Sequence, residues 1–288
     1  MDPTYIILLL GPVLLAVLFW RGCFRRDALD AGPSRGVGLV PADLLIGLGL
    51  MIMGPSLVVL ATSQGGTGEP SATGTLEPDT VAVAGNILMG QVAGQLIPVL
   101  YLLWRVSSGP RGLKGLGLIG AIPQKPLRDL AWGALGLIVA VTLVMATIQA
   151  AVFLGEWFGQ QAPELAHPLL KVLVDSDSLL GSAMIIISAV LVAPILEEAI
   201  FRGLIQSVMG EVLGDGRRWS IVLVASFVFT MIHAGSVNWQ ALPGLFVLAL
   251  VLGWLYERSG SLWPGIFVHI GFNALNIAAA LSISSAAA

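Results

Sequence analysis

Two adjacent carboxylates and a guanidinium interrupt one apolar run, Ala193-Pro194-Ile195-Leu196-Glu197-Glu198-Ala199-Ile200-Phe201-Arg202-Gly203. Each charged group in such a run costs roughly 3 kcal/mol to insert into a bilayer, so charges placed there usually mark function. Glu198 and Arg202 are i and i+4 with the acid N-terminal, the favourable orientation for a helical ion pair. Glu197 is i and i+5 to the same arginine, about 140° around a helix of 3.6 residues per turn. Glu198 is therefore the expected mate of Arg202. Glu197 remains an unpaired carboxylate on another face, the state a general base requires.

Two further sets lie downstream. Phe229-Thr230-Met231-Ile232-His233 puts an aromatic ring and an imidazole four residues apart, so that Phe229 can wall a site holding His233. His269-Ile270-Gly271-Phe272-Asn273 aligns an imidazole with a carboxamide at the same spacing, with Asn276 near the same stripe. A lone buried His or Asn in a helical bundle is commonly just an interhelical hydrogen-bond partner, and a Glu–Arg pair is often only a clamp. Four such features on three helices point instead to a site.

Together these residues resemble the CAAX prenyl protease and bacteriocin-processing family, also called the CPBP or Abi family of intramembrane proteases. Its signature is EExxxR, FxxxH and HxxxN, and this chain has Glu197-Glu198-xxx-Arg202, Phe229-xxx-His233 and His269-xxx-Asn273 in that order. EExxxR alone is a weak signal; three sets on three apolar segments are specific. The likeness covers residues 180–280 and says nothing about the first 150. It implies a metal-independent or metal-assisted endopeptidase acting near a substrate's C-terminus. In it Glu197 activates water, His233 positions that water, and His269 and Asn273 stabilise the oxyanion, with Glu198, Arg202 and Phe229 in support. No cofactor is required on this reading. The alternative is zinc held by Glu197, His233 and His269, because two histidines and a glutamate can make a three-ligand catalytic site.

The elements that must position these groups are set by hydropathy. The chain of 288 residues is 56% hydrophobic, 11% charged and has a mean hydropathy of +0.90, more apolar surface than one soluble core can use. An all-α, polytopic transmembrane bundle is expected. Spans of roughly 20 apolar residues fall at 4–20, 40–61, 81–104, 130–154, 180–208, 219–234, 241–256 and 262–284. Residues 1–129 then form N-terminal membrane helices with cytoplasmic loops and 130–288 a catalytic core, within one integrated membrane domain.

Of the 14 Lys and Arg, all but Lys171 and Arg202 fall on one side of this layout: Arg21, Arg25, Arg26, Arg35, Arg105, Arg111, Lys114, Lys125, Arg128, Arg217, Arg218 and Arg258. That side is expected to be cytoplasmic, with both termini opposite. The tryptophans sit near span ends, as interfacial anchors do. Segment 4–20 lacks the basic lead-in of a cleavable signal and reads as an anchor. A multi-pass protein of a bacterial inner membrane follows, with lipid and a protein or peptide substrate as partners, the substrate entering from the membrane or the cytoplasmic side. The net charge of −3 carries no concentrated basic face, which argues against nucleic acid. The single Cys23 rules out an internal disulfide. The 63–80 segment, rich in Gly, Ser, Thr and Pro, reads as a linker, and His167 as a loop histidine.

Two other functions compete on the same residues: a non-catalytic scaffold or immunity protein on this fold, and an ion-coupled transporter using the buried carboxylates as a relay. The lack of an inverted repeat disfavours the transporter. One geometric tension is apparent as well. Counted along straight helices at 1.5 Å per residue, His233 lies about 21 Å and His269 about 10 Å from the cytoplasmic side. A shared site requires tilt, a broken helix or a re-entrant start, for which Pro243, Gly244, Pro264 and Gly265 are candidates.

Overall fold

Long apolar segments separated by short polar loops have one low-energy answer in lipid, helices that satisfy their own backbone. The computed structural model bears this out over the residues it describes, 3–30, 32–33, 36–63, 80–118, 126–161, 168–176 and 178–287. Most of the 63–80 linker, Arg35, Lys125 and His167 lie outside them.

Eight long helices follow the expected spans: α1 (Pro3–Trp20), α2 (Pro41–Ser63), α3 (80–107), α4 (Pro126–Trp157), α6 (Leu179–Leu213), α7 (Arg218–His233), α8 (Leu242–Ser259) and α9 (Trp263–Ala287), with a short α5 (Pro168–Val174) between α4 and α6. Among the described residues five stretches are long and apolar enough to cross a membrane: Ala84–Ser107, Pro126–Trp157, Leu179–Leu213, Leu242–Ser259 and Trp263–Ser282. Shorter apolar helices occupy Leu8–Trp20, Pro41–Gly54 and Arg218–His233. No strand occurs among the described residues. This is a multi-pass membrane protein built as a helical bundle.

Leu9, Phe19, Leu45, Ile138, Phe153 and Leu179 are exposed, as lipid-facing side chains must be. The main core gathers Leu102, Val106, Leu116, Ile200, Phe201, Leu204, Phe229, Ala249 and Tyr256, where α3, α6, α7 and α8 meet. A second core joins α4, α8 and α9 through Ala140, Val144, Leu248, Leu252 and Val268. Trp132 and Trp254, expected as interfacial anchors, pack on each other with ring centroids 5.8 Å apart.

Among the described residues three π-helical stretches break the regular α pattern, Val92–Leu96 in α3, and Ser188–Val192 and Ala199–Gln206 in α6. Such i→i+5 turns are rare and concentrate at functional sites. Here they bracket the carboxylate pair, since α6 is α-helical only for Ala193–Glu198 between its two π segments.

The depth tension between the two histidines resolves at the start of α9. The α8–α9 turn is covered by protein: Ser259, Gly260, Ser261 and Leu262 are all buried. Gly260 turns in the left-handed region at φ +67 and packs against Pro33 closely enough that a Cβ has no room. Ser261 Oγ lies 2.9 Å from Asp129 Oδ2 and 3.2 Å from the Gly117 carbonyl, two acceptors that share its one hydroxyl proton. α9 therefore begins inside the protein, beneath loop segments from both sides of α3, whereas α7 begins near the exposed residues around Arg217. Both histidines lie beside one carboxylate, His269 Nε2 at 3.7 Å and His233 Nε2 at 3.9 Å from Glu197 Oε2. Pro243 and Pro264 occupy first turns, where proline is tolerated, and break nothing.

Candidate active site

The carboxylate assigned to ion pairing by spacing alone has a second partner. Glu198 Oε1 accepts from Arg202 Nη1 at 2.9 Å and from His269 Nδ1 at 3.0 Å, with all three side chains nearly inaccessible. Arg202 also donates through Nη2 to the Ala249 carbonyl at 3.1 Å, and its guanidinium lies 5.2 Å from the centre of the Phe229 ring. A buried guanidinium is tolerated when its charge is met; here Nη1 and Nη2 are bonded, while Nε is buried with no hydrogen-bond partner among the described residues. Glu198 is the hub of a three-helix clamp, tying α6 to itself, α8 and α9.

Gly265 makes that clamp possible. A Cβ built there would stand 2.9 Å from Glu198 Oε2, so any larger residue would have to push the bonded carboxylate aside.

Glu197 points elsewhere, as its position predicts. Its Oε2 lies 3.7 Å from His269 Nε2 and 3.9 Å from His233 Nε2. Both gaps exceed a direct hydrogen bond, and both are short enough for one water to touch carboxylate and imidazole together. The imidazoles are held from behind. His233 Nδ1 is 2.8 Å from the Phe229 carbonyl, which can only accept, so Nδ1 carries the proton. His269 Nδ1 donates to Glu198 by the same logic. Both rings thus turn Nε2 toward Glu197. The FxxxH spacing has a double use: the Phe229 backbone orients His233 while its ring stacks 4.5 Å from His233 and 5.9 Å from His269.

Asn273 reaches a different partner. Its Nδ2 donates to the Ala189 carbonyl at 2.8 Å, in the first π-helical stretch of α6. One of its two N–H donors is therefore occupied in anchoring α9 to α6, and one remains. Asn276 donates to the Phe272 carbonyl of its own helix and is exposed, away from the carboxylates.

Sequence reasoning missed Gln95. Its Nε2 faces Glu197 Oε1 at 3.5 Å from the π-helical stretch of α3, and its Oε1 is buried without a protein partner. One turn away, Gln91 Oε1 accepts from Ser188 Oγ at 2.7 Å. Only the polarity of Gln91 and Gln95, four apart in an apolar span, signals this in the sequence.

The fit to zinc can be tested on the donor atoms. A tetrahedral zinc with bonds of about 2.0–2.1 Å holds its ligand atoms about 3.3–3.4 Å apart. The gaps from Glu197 Oε2 to the two Nε2 atoms are wider, 3.7 and 3.9 Å. Among the described residues no three His, Cys, Asp or Glu side chains form a group arranged to hold a metal ion.

Residues 179–275, which hold every group of the three sets, match the family described as type II CAAX prenyl endopeptidase Rce1-like. A curated protein of Escherichia coli, named only as an uncharacterized 24.3 kDa protein, is 26% identical over 133 residues, 46% of this chain and 59% of the relative's length. No solved structure matches the chain.

Proposed function

We propose, from the match of its residues 179–275 to the family described as type II CAAX prenyl endopeptidase Rce1-like, that this membrane protein is an intramembrane endopeptidase of a bacterial inner membrane that cleaves near the C-terminus or membrane anchor of its substrate. The observation that carries the reading is the placing of Glu197 Oε2 opposite two Nε2 atoms whose rings are fixed from behind.

In this mechanism a water sits between Glu197 and His233. Glu197 takes its proton as the oxygen attacks the scissile carbonyl, forming the C–O bond while the carbonyl pair moves onto oxygen. The resulting oxyanion is stabilised beside His269, whose Nδ1–H stays on Glu198. The remaining Asn273 donor adds to this, and such donors matter by a few kcal/mol in the barrier. Glu197 then passes its proton to the leaving nitrogen as the C–N bond breaks. Glu198 and Arg202 touch no substrate; they hold His269 in register. No step is routed through a metal, and a zinc chelator is expected to leave cleavage within twofold of the untreated rate.

Gly265→Ala tests the register argument. The added methyl pushes on Glu198 and through it on His269, and a displacement approaching 1 Å costs about 10²-fold in rate. Cleavage is expected to fall on that scale while the protein still inserts and purifies.

The substrate follows from comparing membrane proteomes of cells carrying wild-type protein and Glu197→Gln at matched abundance. The hydrolytic reading expects intact precursors to accumulate in the variant and their shortened forms to disappear. Identical proteomes that both differ from the deletion strain would point to the scaffold function instead.

A further inference from the structure

The proposed chemistry uses one oxygen of Glu197, and the other oxygen has a partner of its own. Oε2 is the atom set between the two imidazoles, 3.7 Å from one and 3.9 Å from the other. Oε1 faces Gln95 Nε2 of α3 at 3.5 Å, the outer edge of hydrogen-bond range. The amide stands this way round for a chemical reason: turned over, it would set its own acceptor oxygen against the carboxylate.

Gln95 is a poor stabiliser of the fold. Its Oε1 is buried with no hydrogen-bond partner among the described residues, and a buried acceptor left unpaired costs free energy. Gln91, one turn earlier, shows what a structural glutamine does in the same helix. Its Oε1 accepts from Ser188 Oγ at 2.7 Å and so ties α3 to α6. Gln95 forgoes such a bond and keeps one long contact, aimed at the carboxylate that the hydrolysis would use.

The backbone around Gln95 is braced to keep that aim. Gln95 lies in the π-helical stretch Val92–Leu96, whose Ala93 and Gly94 are buried and whose Leu96 packs against the main core. Gly54 of α2 backs the same stretch, so close to the Ala93 carbonyl that a Cβ at position 54 would overlap it. All of these residues lie outside the family match at 179–275.

We infer that Gln95 is a positioning residue for the hydrolysis, holding Glu197 Oε1 so that Oε2 is the oxygen that takes the proton from water. The inference rests on the hydrolytic reading and adds to its machinery a helix that the family match does not cover. The Gln95 donor serves both states of the acid. It meets a charged oxygen before proton transfer, and the carbonyl oxygen of the neutral carboxyl once the proton is on Oε2. Without it the carboxylate turns about its last side-chain torsion, which is broad and roughly two-fold, and Oε2 is no longer singled out.

Gln95→Met tests this, because it keeps a side chain of similar length and removes the amide. The purified variant and the wild type are compared for kcat and KM on the precursor that accumulates most in the Glu197→Gln proteome, and for their melting transitions. The expected result is a kcat lower by about ten- to hundredfold, the scale of a small misplacement of a reacting group, with KM within about twofold. The melting transition is expected to be no lower than that of the wild type, since a thioether replaces an amide with an unpaired oxygen. Gln91→Met is the control and is expected to reverse the pattern, with a lowered melting transition and a kcat within threefold of wild type. Wild-type cleavage with a Gln95→Met kcat within threefold overturns the inference and leaves the hydrolytic reading standing. A loss of kcat that comes with a lowered melting transition, with failure to fold or with a matching rise in KM also overturns it, because Gln95 would then serve the fold or substrate binding. A wild type that cleaves none of the accumulated precursors overturns the hydrolytic reading and the inference together.

Discussion

Glu198→Ala is expected to lower the unfolding free energy by about 3–5 kcal/mol, the usual cost of removing one partner of a buried ion pair. The size follows from what is left behind. Arg202 keeps its charge in a site that is 2% exposed, with the Ala249 carbonyl as its remaining oxygen contact among the described residues, and the His269 Nδ1–H loses its acceptor. Tryptophan fluorescence during denaturation in mild detergent reads the loss. The double variant Glu198→Leu/Arg202→Leu removes both charges, and apolar replacement of a whole buried pair is commonly neutral. Its stability is expected to return to within about 1 kcal/mol of the wild type. Its activity is not, because His269 is still unanchored. Recovery of both together would show the pair to be a clamp with no bearing on the site.

The two histidines are expected to separate in the same measurements. His233→Ala and His269→Ala each lower cleavage by about 10²–10⁴-fold, the range for groups that handle the proton or position the nucleophile. Only His269→Ala also destabilises the fold. The asymmetry follows from their partners: His233 hangs on a backbone carbonyl at a half-exposed helix end, whereas His269 completes the buried Glu198–Arg202 cluster. Equal melting transitions for the two variants would contradict the assignment of His269 to that cluster.

The spans and the ion pair were open to reading from sequence because each rests on a local rule. Hydropathy over 20 residues places a helix whatever it packs against, and i,i+4 spacing made Glu198 the mate of Arg202 even though part of α6 is π-helical. What escaped depends on packing between distant segments. The bond from His269 to Glu198 spans 71 positions and the contact of Gln95 with Glu197 spans 102. No periodicity encodes either. The common depth of His233 and His269 was obscured because helices were counted from presumed membrane surfaces, and α9 starts from a turn buried by other loops. Gly265 was noted only as a candidate helix breaker; its role, giving Glu198 room, becomes visible only once α9 and α6 face each other.

The most direct test is the cleavage rate and melting transition of purified Glu197→Gln, measured side by side with the wild type on a precursor recovered from the proteome comparison. The isosteric change removes the proton acceptor and leaves the buried cluster intact. The account predicts a loss of about 10²–10⁴-fold in rate with an unchanged melting transition. A rate within threefold of wild type would contradict it, whatever the fold.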